Sequence, residues 1–174
     1  MKKQFIALSI MAGLFAVNAA NAADGTINFT GNITDAACTV DSTSASQTVN
    51  LGTVASTAFG AAGATAAPTA FTIDLTSCPS TVTAASVKFD GTSDTTNTQI
   101  LKLSTDSTAT GVGVAIYEKD GSTLVPMHTA SAKQTIDSSL TTNSLAFVAK
   151  YMSTAASVTA GTANATTDFT IAYN

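Results

Sequence analysis

Apolar residues recur at every second position along most of this chain, and that spacing restricts its fold more than any other feature. Side chains alternate faces along a β-strand, so period two marks a strand with one face buried. Phe71, Ile73 and Leu75 share a face over residues 70–76. Leu145, Phe147, Ala149 and Tyr151 do so over 144–152, and Phe169, Ile171 and Tyr173 over 167–173. Further alternating runs cover 26–34 (Ile27, Phe29, Ile33), 47–54 (Val49, Leu51), 85–89, 100–103 and 112–117. Thr is abundant in these runs, and β-branched residues favour pleated structure. No stretch carries a helical stripe. Residues 55–67, rich in Ala and Gly, read as a surface loop with room for one helical turn. Turn chemistry breaks the pattern at Cys78-Pro79-Ser80, Asp90-Gly91 and Asp120-Gly121, the last a hairpin between Tyr117 and Leu124. Short strands with regular breaks imply one all-β domain, an immunoglobulin-like β-sandwich in the broad sense.

The first 22 residues read as a secretory signal peptide. Lys2 and Lys3 precede an apolar run from Phe5 to Val17, and Ala20-Asn21-Ala22 supplies the small residues of a cleavage site. The run is shorter than the ~20 residues that span a bilayer. A mature chain from Ala23 keeps five lysines against eleven acidic residues, a formal charge of −6. Export makes Cys38 and Cys78, the two cysteines present, an expected disulfide.

Charged residues are only 10% of the chain, against a usual quarter. Arg is missing and the formal charge is −4, which argues against a nucleic-acid partner. Chemistry is equally thinly supplied. His128 is the one histidine and reads as a loop residue; with two cysteines it does not fill a tetrahedral metal site. Asp90 and Asp94 flank a Gly-Thr-Ser turn, which suits a solvated loop better than paired acid–base catalysis. No catalytic residue, cofactor site or metal site is expected. The Asn-x-Thr sequons at Asn28, Asn32 and Asn164 are what chance gives in so Thr-rich a chain.

The two ends of the mature chain are more informative. Gly25, Ile27, Phe29, Gly31 and Ile33 alternate in an arm before Cys38, and the sequence stops inside the run Phe169, Ile171, Tyr173, Asn174. A sandwich ending on an open edge strand leaves backbone groups unpaired and core uncovered. A fifteen-residue extended arm reaches ~50 Å, enough to cross a neighbouring domain. The arm could equally be the first strand of its own sheet, and the residues leave both readings open.

In order and spacing these segments resemble the chaperone–usher pilins, close to the major subunit of type 1 fimbriae. The resemblance rests on four features. Residues 25–33 run into Ala36-Ala37-Cys38-Thr39-Val40-Asp41; Gln47-Thr48-Val49-Asn50-Leu51-Gly52 follows. Cys78 comes after Phe71-Thr72-Ile73-Asp74-Leu75, and the tail carries Gly161, fourteenth from the end, with Tyr173 penultimate. The resemblance implies an incomplete immunoglobulin-like sandwich lacking its last strand, completed by a donor strand from a neighbouring subunit. It divides the chain into a signal peptide (1–22), a donor-strand extension (23–37) and a pilin domain (38–174). Gly25, Ile27, Phe29, Gly31 and Ile33 become the donor strand. Gly161, Phe169, Ile171, Tyr173 and Asn174 become the acceptor edge and the chaperone-recognition pattern, with the Asn174 carboxylate meeting basic chaperone residues. The implied partners are identical subunits in a homopolymer, other fimbrial subunits, a periplasmic chaperone and an outer-membrane usher. The implied destination is the fimbria at the bacterial surface, reached through the periplasm. A minor or adaptor pilin and another secreted β-sandwich binding module are the alternatives; a secreted metal-dependent enzyme is the weakest reading.

Overall fold

The computed structural model describes residues 25–31 and 37–174. The chain divides into two units, Met1–Ile33 and Thr34–Asn174, each taken by itself. The expected signal peptide and Ile33 lie outside the described residues. Within the first unit, residues 25–31 adopt no regular secondary structure, and Ile27 and Phe29 are 79% and 92% exposed. The described part of the alternating run, residues 26–31, therefore forms no strand.

The second unit is a sandwich of two antiparallel sheets. Its strands are β1 (Thr39–Val40), β2 (Thr65–Thr76), β3 (Ala84–Phe89), β4 (Val112–Glu118), β5 (Gln134–Thr135), β6 (Thr142–Ser153) and β7 (Phe169–Tyr173). One sheet runs β1-β2-β6-β4, the other β5-β3-β7. The long β2–β6 ladder sets Phe71 opposite Phe147, Ile73 opposite Leu145 and Leu75 opposite Asn143. Their inward faces meet Val87 and Phe89 of β3, and these side chains are almost fully buried except Phe71. Phe71, Phe89 and Phe147 form an aromatic triangle with centroids 5.3 to 6.3 Å apart, the Phe89–Phe147 pair edge-to-face. This triangle ties the sheets together.

The disulfide joins Cys38 to Cys78, as export predicts, across a sequence separation of 40. A loop of that size is worth about 4 kcal/mol in the chain-entropy account. The Asp120-Gly121 hairpin also forms. Glu118 N–H donates to the Thr123 carbonyl, Gly121 takes φ +66°, and Tyr117 bridges Leu124. Asp120 accepts from the N–H groups of Ser122 and Thr123 and from the Thr123 hydroxyl. The Thr123 bonds, first from its hydroxyl and then from its N–H, hold this carboxyl well below the ordinary carboxylate range.

Several boundaries differ from the pattern in the sequence. β2 starts at Thr65, inside the stretch read as loop, because Met152 and Tyr151 of β6 pair with Thr65 and Ala66. The helical turn of that stretch is confined to Ser56–Ala58. Residues 47–54 alternate as expected, with Val49 and Leu51 packed on the core, yet they belong to no ladder. Residues 100–103 are reduced to bridges from Leu101 to Ser93 and Val114. A short helix, Ser42–Ala45 (α1), follows an Asp41 cap that accepts from Thr43 N–H; four residues are too few for a stripe to be visible.

Phe147→Ala removes the centre of the aromatic triangle and should lower unfolding free energy by about 3–5 kcal/mol in denaturant titration. For Asp120, a folded-state pKa below the unfolded value gives stability that is complete above the unfolded pKa and lost as pH falls through the folded one. The stability deficit of Asp120→Ala should therefore be full at pH 6 and shrink below about pH 4, as followed by thermal unfolding across pH.

Candidate functional site

Among the described residues, β7 has a neighbour on one side only. Asp90 N–H donates to the Asp168 carbonyl at 2.8 Å, and Asn174 N–H to the Ala84 carbonyl at 2.8 Å. Bonded pairs alternate in an antiparallel ladder, so the even positions 168, 170, 172 and 174 face β3. Phe169, Ile171 and Tyr173 therefore turn their N–H and C=O groups to the open side, where no described residue takes them. β3, by contrast, is bonded on both edges. On its far side it meets β5, and the 128–131 segment also bonds it: His128 N–H reaches the Phe89 carbonyl and Ser131 N–H the Val87 carbonyl, both at 2.8 Å.

The side chains repeat this incompleteness. From Ala163 to Tyr173 every odd residue points toward the core yet is only half-buried. Equivalent inward residues on β3 and β6, such as Val87 and Phe147, are at 0% and 1% exposure. Inward-facing apolar groups that remain wet mark a groove where a strand is missing. Its second lip is the segment 47–54, whose half-buried Val49 and Leu51 face the core by parity, while Val54 lines the cleft beyond. Residues 46–54 make no backbone-to-backbone hydrogen bond with any described residue. Two edges with free backbone groups thus flank an apolar floor.

The ends of the groove are fixed by side chains. At one end the Tyr173 hydroxyl donates to the Cys38 carbonyl at 3.3 Å, and burial pushes that phenol up in pKa. The Asn174 backbone oxygen accepts from Thr83 N–H at 2.8 Å and Ala84 N–H at 3.1 Å. At the other end the Tyr151 hydroxyl donates to the Ala163 carbonyl at 3.1 Å. There the floor opens into a cleft of about 410 Å³ lined by Gly52, Val54, Phe59, Tyr151 and Gly161 among others. On the solvent side of β7, Thr170 donates to Asp90, whose carboxyl Lys88 holds below its ordinary pKa at 2.8 Å. His128 stands 3.5 Å from the same carboxylate and is half exposed, in keeping with a loop residue.

Gly161 sits where the 158–164 segment crosses the 104–110 loop. Thr108 and Thr162 exchange N–H and hydroxyl bonds at 2.9 and 3.0 Å, and Asn164 N–H donates to the Ser107 hydroxyl at 2.9 Å. A Cβ at Gly161 would lie 2.5 Å from the Ala109 nitrogen and against Thr108. The glycine is therefore demanded by a close backbone crossing. Of the expected residues, Gly161, Phe169, Ile171, Tyr173 and Asn174 lie along one continuous segment bordering the groove. Gly25, Ile27, Phe29 and Gly31 belong to the other unit. The lip at 47–54 and the upstream stripe Ala163, Ala165, Thr167 escape a reading of the C-terminal strand alone. The signal was present in both, as an alternation of small residues that carries little hydropathy.

A family profile described as Fimbrial protein matches residues 27–174. The chain is 41% identical to the type-1 fimbrial protein A chain of Salmonella typhi, over 99% of this chain and 100% of that one. It is 37% identical to the type-1 fimbrial protein A chain of Escherichia coli, again over 99% and 100%. Among solved structures, a Burkholderia pseudomallei antigen and type I fimbria protein superposes with a TM-score of 0.61 at 37% identity, covering 86% of this chain and 97% of that one. The P pilus rod subunit superposes with a TM-score of 0.67 at 20% identity, covering 80% and 100%, and shares the fold.

Gly161→Ala should cost about 1–3 kcal/mol through the clash with the Thr108–Ala109 backbone. The check is a denaturant titration, with Ala160→Gly as the control at a neighbour outside that contact.

Proposed function

This chain belongs to the fimbrial protein family, and from that premise we propose that it polymerises by inserting the arm of one subunit into the β7 groove of the next. It is a structural pilus subunit and part of a fibre at the cell surface. The single observation that carries the mechanism is the half-buried odd stripe of β7 with its unpaired backbone. An added strand supplies what that edge lacks: backbone partners for Phe169, Ile171 and Tyr173, and apolar cover for their side chains.

The arm of another copy has the matching chemistry. Ile27 and Phe29 are two large apolar groups exposed to water at alternate positions, flanked by Gly25 and Gly31. Fully burying such side chains is worth about 1.5–3 kcal/mol each. Ile33 continues the same parity. The contact is head-to-tail and does not close on itself, so repetition yields a fibre. The cleavable leader at 1–22 delivers the chain to the periplasm. There a chaperone strand occupies the groove and reads Gly161, Tyr173 and the Asn174 carboxylate, until an outer-membrane usher exchanges it for the arm. The scarcity of charge suits a surface that stacks on its own copies, since Lys and Glu are depleted in interface cores.

The test is complementation in trans. A chain lacking residues 23–34 is mixed with a peptide of those twelve residues and its thermal unfolding is recorded. Groove filling should raise the melting temperature by on the order of 10 °C, and Phe29→Ser in the peptide should remove most of the gain. A truncated chain that is already stable and indifferent to the peptide would falsify strand addition.

A further inference from the structure

The sandwich has a second sheet edge, and it is closed by different means. β2 pairs with β6 on one side, but β1 covers its other side only at Leu75 and Thr76. Ten residues of β2 would otherwise offer a row of free backbone groups, longer than the row on β7. From position 68 to 76 the even positions face that edge, and before the bulge Thr65 does. Asp74 receives Asp41 N–H on its carbonyl at 2.9 Å, and the Gln47 amide donates to the Thr72 carbonyl at 3.0 Å. The opposite residue on β6, Ala146, likewise turns its N–H and C=O away from β2, to the side chain of Gln134.

Taken position by position, this edge offers little to an incoming strand. Position 76 belongs to β1. At 74 the carbonyl is used by Asp41 and the N–H donates to the buried Ser44 hydroxyl at 2.9 Å. At 72 the carbonyl is capped by Gln47. Position 68 is a proline, which has no N–H to donate. Ala67 and Pro68 also form a bulge, two residues facing Lys150 alone, and Ala67 takes φ +54°. A bulge twists an edge away from flat pairing. What keeps no described partner is the Thr72 N–H and both backbone groups of Ala70 and of Thr65, and the bulge with Pro68 separates Thr65 from the other two, so no continuous ladder is on offer.

We infer that Ser44, Gln47 and Pro68 guard the β2 edge and so confine strand addition to β7. They are specificity-determining residues of assembly. The excluded partner is a second copy of this chain, or its exposed arm, pairing along β2. The inference rests on the reading that β7 accepts a strand, since confinement has meaning only if one edge is meant to be open. The reason such guards are needed is on the page: a subunit whose arm presents Ile27 and Phe29 to water carries its own edge-seeking strand. With two accepting edges per subunit, growth would branch; with one, it stays linear.

The experiment uses the full chain, exported and purified, as wild type, as Q47A/P68V, and as Q47A/P68V with A70K added. Assembly is followed by thioflavin fluorescence, light scattering and electron microscopy, with thermal unfolding as a control on the fold. Wild type should give unbranched fibres and background thioflavin signal. Q47A/P68V should give laterally associated material and a several-fold higher thioflavin signal. A70K places a charge on the reopened edge at an exposed position and should return the signal to background. If the double variant does not fold, P68A alone restores an N–H at an exposed site and is read in the same way. Assemblies of Q47A/P68V indistinguishable from wild type overturn the inference. So does aggregation that A70K leaves unchanged, because that is the mark of mere destabilisation. Failure of the underlying reading looks different: the wild type itself then forms no fibres, whatever the variants do.

Discussion

An unmet demand for backbone hydrogen bonds along β7 is the constraint on which the rest of this structure depends. Every other long strand has partners on both sides or is closed by side chains, but Phe169, Ile171 and Tyr173 present N–H and C=O to an edge with no described partner. Backbone polar groups facing an apolar groove are costly unless paired. The same residues hold half-buried side chains over a core whose centre is almost dry. Hydrogen bonding and hydrophobic burial therefore ask for one remedy, an extended strand with alternating apolar groups. A soluble ligand or a metal ion answers neither need.

Rigidity elsewhere is what lets that edge stay open without collapse. The Phe71–Phe89–Phe147 triangle holds the two sheets together, and the Cys38–Cys78 bridge ties the start of β1 to the end of β2 within one of them. The Thr108–Thr162 and Ser107–Asn164 bonds pin the upstream end of the lip, and Gly161 permits the crossing. Tyr173 pins the downstream end on Cys38. The C-terminal lip cannot slide across the groove without breaking these bonds. Edges of β-sheets are hazards in general. Here the β7 edge has no described partner, whereas a helix, an amide and a proline occupy much of the β2 edge.

Much of this was legible from residue order. Period two identified the strands at 70–76, 85–89, 112–117, 144–152 and 167–173 because their apolar groups are large and the buried face must repeat every second residue. The Asp120-Gly121 hairpin was legible because a left-handed glycine and an aspartate that caps its own turn are local chemistry. The C-terminal stripe was legible for the same reason. Less visible were β2 before Ala70 and the stripe at 163–167, where Ala and Thr alternate with other small residues and hydropathy hardly varies.

By itself the sequence determined which faces are apolar, where the chain turns and that its two cysteines join. Each of these follows from side-chain alternation, local turn chemistry or redox compartment, and needs no knowledge of what packs against what. Only the tertiary structure decided the rest. Residues 47–54, strand-like in pattern, became a lip outside any ladder of the described residues, while residues 65–67, read as loop, became strand. Gly161 proved to be fixed by a backbone crossing with Thr108 and Ala109. Ser44, Gln47 and Pro68, dispersed over 25 residues and unremarkable in sequence, came together along one edge. The physical reason is common to all four: hydrogen-bond partners and steric neighbours are set by segments distant in the chain, and no local pattern encodes them.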